Sequence, residues 1–356
     1  EMDEGGSCSA ALEIGSIGAI GQQRGCNGAL DFDLASSGRH PDFMVIGVAK
    51  GGTTSFGECF SAHPSIARTQ NKEPNWFSYM APAQGSRAGY QDMLEMSARA
   101  KHARLVGDFS TSYIVHPLVP RRVANTVPTV KVIALLRNPV DRSFSHFMMD
   151  ARRSELMGKG RGSVSVDLPK QFDALVRAEV ADRSTTGLLD VFGNCSRQAT
   201  NPTCDVQLCL PEWPVYSPMQ TSLKLRSNQD LKTFFFKSYV FRSIYVGQIS
   251  RWLDALPLKQ MLFLRSEDYF DDSAAVLSEA AQFLGLTDAF DFSEVVQAYK
   301  ATWDTRYLVQ GSEPRGYTTM MHSTCTFLQN FFRPYNLALN RLLDKDFGWE
   351  TSCDKL

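Results

Sequence analysis

Three short stretches carry residue types that can do chemistry on an oxyanion. The first is Lys50-Gly51-Gly52-Thr53-Thr54-Ser55. Two glycines can turn successive N–H groups inward, a lysine supplies charge, and three hydroxyl residues open a helix whose N-terminus adds partial positive charge, so a phosphate or sulfate fits there. The second is Arg137-Asn138-Pro139, with Ser145 eight positions after the arginine. Arginine offers a forked donor set, proline suits the first helical position, and Ser145 lies about two turns into that helix, turned towards the same region. The third is Lys72-Glu73-Pro74-Asn75-Trp76-Phe77, where a carboxylate stands beside a lysine at the edge of an apolar pair and is a candidate general base. Each has an ordinary alternative: a glycine-rich turn with an exposed lysine, a salt-bridged scaffold arginine, and a glutamate capping a surface helix.

The elements that must position these groups follow from the apolar runs. Segments 43–48, 105–109, 130–136 and 261–265 are predicted strands, and the helical patterns between them predict an α/β fold, a P-loop-like, mostly parallel sheet flanked by helices. Helices are expected from Thr53 towards His63 and over 117–126, 168–183, 235–256, 274–284 and 322–343. The first two stretches then lie at the carboxyl ends of strands, where open α/β sheets bind ligands, as does the polar cluster Ser110-Thr111-Ser112-Tyr113. Tyr239, Ile244, Tyr245, Ile249 and Trp252 are expected in the core, and Trp76 and Phe77 either stack on a ligand or pack under their own loop. Arg265, Glu267 and Asp268 are expected to form structural ion pairs.

A chain of 356 residues, 43% hydrophobic and 21% charged, can bury a full core. Its net charge of −1 excludes a surface built throughout for nucleic acid and leaves room for a local basic cleft. Residues 1–38, rich in Gly, Ser and Ala, are expected to form an irregular arm, and 39–356 a single domain with an insertion at about 155–235 near the acceptor. The eight cysteines contain no C-x-x-C pair and no Cys/His spacing suited to zinc, so no metal is called for. Cys195, Cys204 and Cys209 sit in a polar segment beside the sequon Asn194-Cys195-Ser196, which predicts disulfides, a glycoprotein and a secretory lumen. A reduced cytoplasmic protein is the alternative. No apolar run reaches the length of a membrane span of about 18 residues, and the chain opens at Glu1, so an upstream targeting segment or anchor is expected to have been removed.

The first stretch is close to the nucleoside-triphosphate motif G-x-x-x-x-G-K-[ST], but Thr53 stands where the lysine belongs and Lys50 precedes the glycines. That order resembles the 5′-phosphosulfate loop of sulfotransferases that use 3′-phosphoadenosine 5′-phosphosulfate (PAPS). Arg137 and Ser145, after the third predicted strand, resemble the same family's 3′-phosphate motif. Residues 72–77 resemble the K-E-P-H-(W/F)-(W/F) segment of its carbohydrate-modifying members, with Asn75 in place of histidine. Arg315-Gly316-Tyr317 resembles the loop that closes over the PAPS phosphates. The likeness covers about 40–155 and 240–350 and is closest in flavour to the Golgi glycosaminoglycan sulfotransferases.

The resemblance implies a PAPS-dependent sulfotransferase acting on a carbohydrate hydroxyl, without a metal, in the Golgi or secretory lumen behind a type II anchor. It implies Glu73 as base, Lys50 and Lys72 on the sulfate, the 51–55 loop on the 5′-phosphate, Arg137 and Ser145 on the 3′-phosphate, and Arg315 with Gly316 and Tyr317 closing the site. A disulfide bracketing the closing loop is usual in that family, and here Cys325 would need a distant partner or have none. Tyrosine or small-molecule acceptors, and a silent PAP- or glycan-binding protein, are the competing readings. A P-loop kinase is disfavoured by the misplaced lysine and by an arginine, not an aspartate, after the third strand.

Overall fold

A computed structural model of the chain describes residues 40–69, 73–80, 102–116, 119–156, 167–181, 238–308, 318–350 and 353. The apolar runs form five strands: β1 (Phe43–Gly47), β2 (Ile66–Arg68), β3 (Leu105–Phe109), β4 (Lys131–Leu136) and β5 (Met261–Arg265). They make one parallel sheet in the order β2-β3-β1-β4-β5, with Phe43 level with Gly107 on one side and Lys131 on the other. A parallel sheet needs cover on both faces, and the strands supply it by alternation. Phe43, Val45, Ile133 and Leu135 face one core, while Met44, Ile46, Val132, Ala134 and Leu136 face the other.

The first core is closed by α1 (Thr53–Phe60), which brings Phe60 against Phe43 and Phe56 against Phe60. The second is closed by α2 (Val119–Thr126), α3 (Pro139–Leu156), α4 (Leu168–Ala181) and α5 (Tyr245–Ala255). After β5 come α6 (Ser266–Asp271), α7 (Ser273–Leu284) and α8 (Phe292–Leu308); α7 and α8 complete the first core. The last helix, α9 (His322–Leu343), and the tail after it return to the second. Among the described residues no helix is long and apolar enough to cross a membrane.

Two expectations change. The three-residue strand β2, which pairs Ile66 with Leu105, is too short for a periodicity signal and was not expected. The helix expected over 235–256 is broken: a 3₁₀ turn at Phe241–Ser243 is followed by Ile244 at φ −91°, ψ 87°, and α5 begins only at Tyr245. The Glu179 carboxylate of α4 explains the break, since it accepts the backbone N–H groups of Tyr239, Val240 and Phe241 at 3.0 to 3.2 Å and so caps the turn from outside. The five core residues named above are buried, apart from a half-buried Tyr239.

Cys325 at the start of α9 is bonded to Cys353, 28 residues on, and Cys59 is a buried free thiol. The disulfide expected among Cys195, Cys204 and Cys209, and the sequon at Asn194, lie outside the described residues.

Candidate active site

The Lys50 loop joins the end of β1 to α1, and its shape is forced at two glycines. A side chain on Gly51 would come within 2.9 Å of the Leu135 carbonyl, and Gly52 caps α1 at φ 88°, a left-handed angle that costs other residues strain. Lys50 itself sits at φ 75°, and this costly conformation is held from outside. Four successive carbonyls of the loop accept side-chain bonds, two from the β4–α3 junction, one from α6 and one from α1 itself. Ala49 accepts from Arg142 Nη1 (3.5 Å), Lys50 from Arg137 Nη1 (3.0 Å), Gly51 from Ser266 Oγ (2.9 Å) and Gly52 from Ser55 Oγ (2.9 Å). A planar trans peptide points its N–H opposite its C=O, so tying the Gly51 and Gly52 carbonyls outward aims the Gly52 and Thr53 amides into the loop at the N-terminus of α1.

The second candidate anion site is joined to the first by that Arg137 bond. Arg137 is half-buried at the end of β4, with its guanidinium 5.4 Å from the centre of the exposed Phe270 ring. Asn138 caps α3 through its side-chain oxygen, which accepts the Val140 N–H at 2.9 Å. Ser145 is buried in the second turn of α3, next to His146. Burial first, and then the charges of Arg142, Arg242, Lys50 and Arg153, push the His146 imidazole down to about 2. Its 3.7 Å approach to Asp150 is therefore a contact of a neutral ring at neutral pH. The same set of cations makes the surroundings of His146 favour an anion.

Glu73 faces this region from the other side of β1. It lines one small cleft with Thr53 and Thr54 of α1, Arg68 at the end of β2, and Phe109 and Thr111 at the end of β3. Its backbone is left-handed, φ 57°, and so is that of Asn75, φ 54°. A regular helix start at Glu73 is ruled out by these angles; a single π-helical turn, Trp76–Met80, begins only afterwards.

What holds the segment is a buried hydroxyl network. The Asn75 amide nitrogen donates to the Glu73 carbonyl (2.7 Å), its side-chain oxygen accepts from Ser112 Oγ, and its backbone N–H donates to Ser110 Oγ (3.0 Å). Ser110 Oγ donates to Asp108 Oδ1 (2.6 Å), and Tyr113 OH donates to Asp108 Oδ2 (2.8 Å) while accepting the Phe77 N–H (3.3 Å). The polar cluster 110–113 thus serves mainly to hold the Glu73 segment, with Thr111 alone of the four lining the cleft. Trp76 and Phe77 pack under the loop in the core and are not presented to a ligand.

The structure therefore brings Lys50, Gly51, Gly52, Thr53, Thr54, Ser55, Arg137 and Glu73 to the carboxyl edge of the sheet, with Ser145 buried in α3 beside it. Lys72, Arg315, Gly316 and Tyr317 lie outside the described residues. Sequence reasoning missed Arg142, whose buried guanidinium also donates to Ser243 Oγ (2.6 Å) and the Tyr239 carbonyl (2.7 Å), tying the Lys50 loop to α3 and the 239–243 turn. It missed Arg68 and Phe270 too. The signal for Arg142 was its place five residues after Arg137, in the first turn of the helix that follows it. Arg265 and Glu267 do form the structural pair expected of them, at 3.4 Å, and Arg265 also bonds Asp268 at 2.6 Å.

A parallel sheet with a glycine-rich loop between β1 and α1 and an arginine at the end of β4 defines an α/β domain of the P-loop-like type. Residues 40–323 match the family described as "Sulfotransferase domain", and the chain belongs to that family. It is 26% identical over 333 residues to the membrane-associated sulfotransferase kil1 of Dictyostelium discoideum, covering 87% of this chain and 66% of that protein. It is 24% identical over 328 residues to the human heparan sulfate glucosamine 3-O-sulfotransferase 3B1, covering 90% of this chain and 67% of that one. The chain thus spans about two thirds of the length of these relatives. A sulfotransferase crystal structure from Alicyclobacillus acidocaldarius shares the fold, with a TM-score of 0.55 at 20% identity over 87% of this chain and 99% of that one.

Proposed function

We propose that this protein transfers the sulfuryl group of PAPS to a hydroxyl of a carbohydrate, a glycosaminoglycan-like polysaccharide. The observation that carries the reading is the direct bond from Arg137 to the Lys50 carbonyl, which welds two anion sites into one surface suited to a donor with phosphates at both ends, with Glu73 set in a cleft beside it. The names of relatives that act on heparan sulfate support the polysaccharide acceptor.

In this reading the 51–55 loop holds the 5′-phosphate, and Arg137 and Ser145 hold the 3′-phosphate. Glu73 takes the proton from the acceptor hydroxyl as its oxygen bonds to sulfur and the bond from sulfur to the phosphate oxygen breaks. Lys50 neutralises the charge that collects on that departing oxygen, a gain larger in the transition state than in the ground state. Lys72, Arg315, Gly316 and Tyr317 complete the proposed donor contacts. The Cys325–Cys353 bond supports an oxidising compartment, the Golgi or secretory lumen.

The test is incubation with labelled PAPS and a panel of glycosaminoglycans, tyrosine peptides and small phenols. Label is expected on a polysaccharide. Label on a peptide or phenol alone would move the acceptor class, and PAP binding without any transfer would make this a silent binding protein. In a thermal shift assay PAP is expected to stabilise the protein well beyond ATP with magnesium; equal shifts would count against the donor assignment.

A further inference from the structure

The peptide that carries Arg137 into Asn138 is fixed by two side chains from distant elements. Tyr245 OH, on α5, donates to the Arg137 carbonyl at 2.8 Å. Glu267 Oε1, on α6, accepts the Asn138 N–H at 2.8 Å. These bonds set the direction in which the Arg137 side chain leaves the sheet. Both partners meet a third residue from the end of the chain. Trp349 donates its indole N–H to Glu267 Oε2 at 3.1 Å, and its ring packs edge-on to Tyr245 with centroids 5.9 Å apart. It is buried, 4% exposed, and stacked on Phe347 at 4.6 Å.

The segment that brings Trp349 there is fastened to α9. Asn340 binds Asp346 (2.8 Å) and the Phe347 N–H (3.4 Å), Gln329 donates to the Glu350 carbonyl, and three residues further on the Cys353 sulfur closes on Cys325. Lys345 adds a bond to the Phe263 carbonyl of β5 at 2.9 Å.

We infer that Trp349, held by the disulfide-fastened tail, is a positioning residue for the Arg137 anion grip, acting through Glu267 and Tyr245. The inference rests on the reading of Arg137 as a ligand for the donor's phosphate. A carboxylate that lost its indole partner would be free to rotate about its own axis and share itself differently between Arg265, 3.4 Å away, and the Asn138 amide. The peptide then loses its fixed direction, and with it the arginine loses the pre-arranged aim that makes phosphate binding tight. The tail thus affects donor affinity from behind the sheet edge, without a place in the cleft.

The experiment is a titration of PAP by calorimetry into the parental protein, Trp349→Phe, Arg137→Ala and the double variant, with steady-state kinetics on each. Phenylalanine keeps an aromatic ring against Tyr245 and Phe347 and removes the N–H donor together with part of the ring. Trp349→Phe is expected to weaken PAP binding about three- to tenfold, the size of one lost orienting hydrogen bond, and to raise the KM for PAPS while kcat at saturating donor stays within about twofold. In the Arg137→Ala background it should add little, because the group it aims is gone. Cys353→Ser, which frees the tail, should shift affinity in the same direction. Unchanged PAP affinity in Trp349→Phe, or a loss that adds in full to that of Arg137→Ala, would show the tail to be a structural strap only and overturn the inference. If the parental protein does not bind PAP, the donor assignment itself falls, and this inference with it.

Discussion

The two sides of the cleft are built on different principles. On the proposed donor side the Lys50 loop is held at four successive carbonyls, by Arg142 and Arg137 of the β4–α3 junction, Ser266 of α6 and Ser55 of α1. No single bond decides its shape, and one of them joins it to Arg137. On the proposed acceptor side the Glu73 segment hangs from one strand end, through Ser110 and Tyr113, which share the buried Asp108 carboxylate, and through Ser112, and it passes through two left-handed residues, Glu73 and Asn75. Distributed anchoring makes a loop tolerant of single losses, whereas a hub makes it sensitive at one point. The proposed donor grip and proposed base are thereby expected to be separable, each open to being broken without the other.

The largest effect is expected where both functions meet. Lys50→Ala removes a charge that contributes to ground-state binding and to the transition state, so kcat/KM should fall by about 10³–10⁵, combining a lost charge-assisted contact with a lost electrostatic stabiliser. Steady-state kinetics with labelled PAPS reads it, and a loss confined to KM would show that the lysine meets only the ground state.

The hub comes next. Asp108→Asn keeps the size of the side chain and weakens its hold on Ser110 and Tyr113, so kcat should drop by roughly ten- to a hundredfold through a misplaced Glu73. PAP affinity should stay within about twofold, because the donor loop does not depend on that network. A parallel loss of PAP affinity would erase the contrast between the two sides. Asp108→Ala should in addition destabilise the fold by about 1–3 kcal/mol, since it strands two buried hydroxyl donors; urea melts would measure it.

A smaller effect separates the fold from the site. The folded protein keeps His146 unprotonated down to about 2, while in the unfolded chain it takes a proton near 6.5. The unfolded state therefore binds more protons between these values. The stability involved is complete above about 6.5 and is lost as pH falls, by up to about 1.4 kcal/mol per pH unit for one such group. Replacing His146 by glutamine should flatten the fall in melting temperature between pH 7 and pH 5, and an unchanged slope would place the titrating group elsewhere.

The legibility of the molecule divides along the same line. The Lys50 loop and the Arg137 turn could be read because each is a local pattern, a strand, a short loop and a helix start, in which the acting residues are close in sequence. The four longer strands were visible as apolar runs, and β2 was not, because three residues carry no period. The support of Glu73 was hidden for another reason: Asn75 meets Ser110 35 residues away, and nothing in residues 72–77 announces that partner. Likewise the break before α5 is imposed by Glu179, 60 residues from Tyr239, against a helical pattern that ran through it. The hydroxyl cluster at 110–113 was placed correctly at a strand end, but its main service is to the neighbouring loop.

The central claim is that base and donor grip are separate devices on one sheet edge. It is tested most directly by measuring PAP affinity and single-turnover sulfuryl transfer on the same preparations of Glu73→Gln and Arg137→Ala. The account predicts a crossing. Glu73→Gln should lose transfer by about 10²–10⁴ with PAP affinity nearly intact, since an amide keeps the shape and cannot accept the proton. Arg137→Ala should weaken PAP binding by roughly ten- to over a hundredfold, with a smaller loss of transfer at saturating PAPS. Glu73→Gln turning over at close to the parental rate, or both variants losing affinity and transfer together, would contradict it.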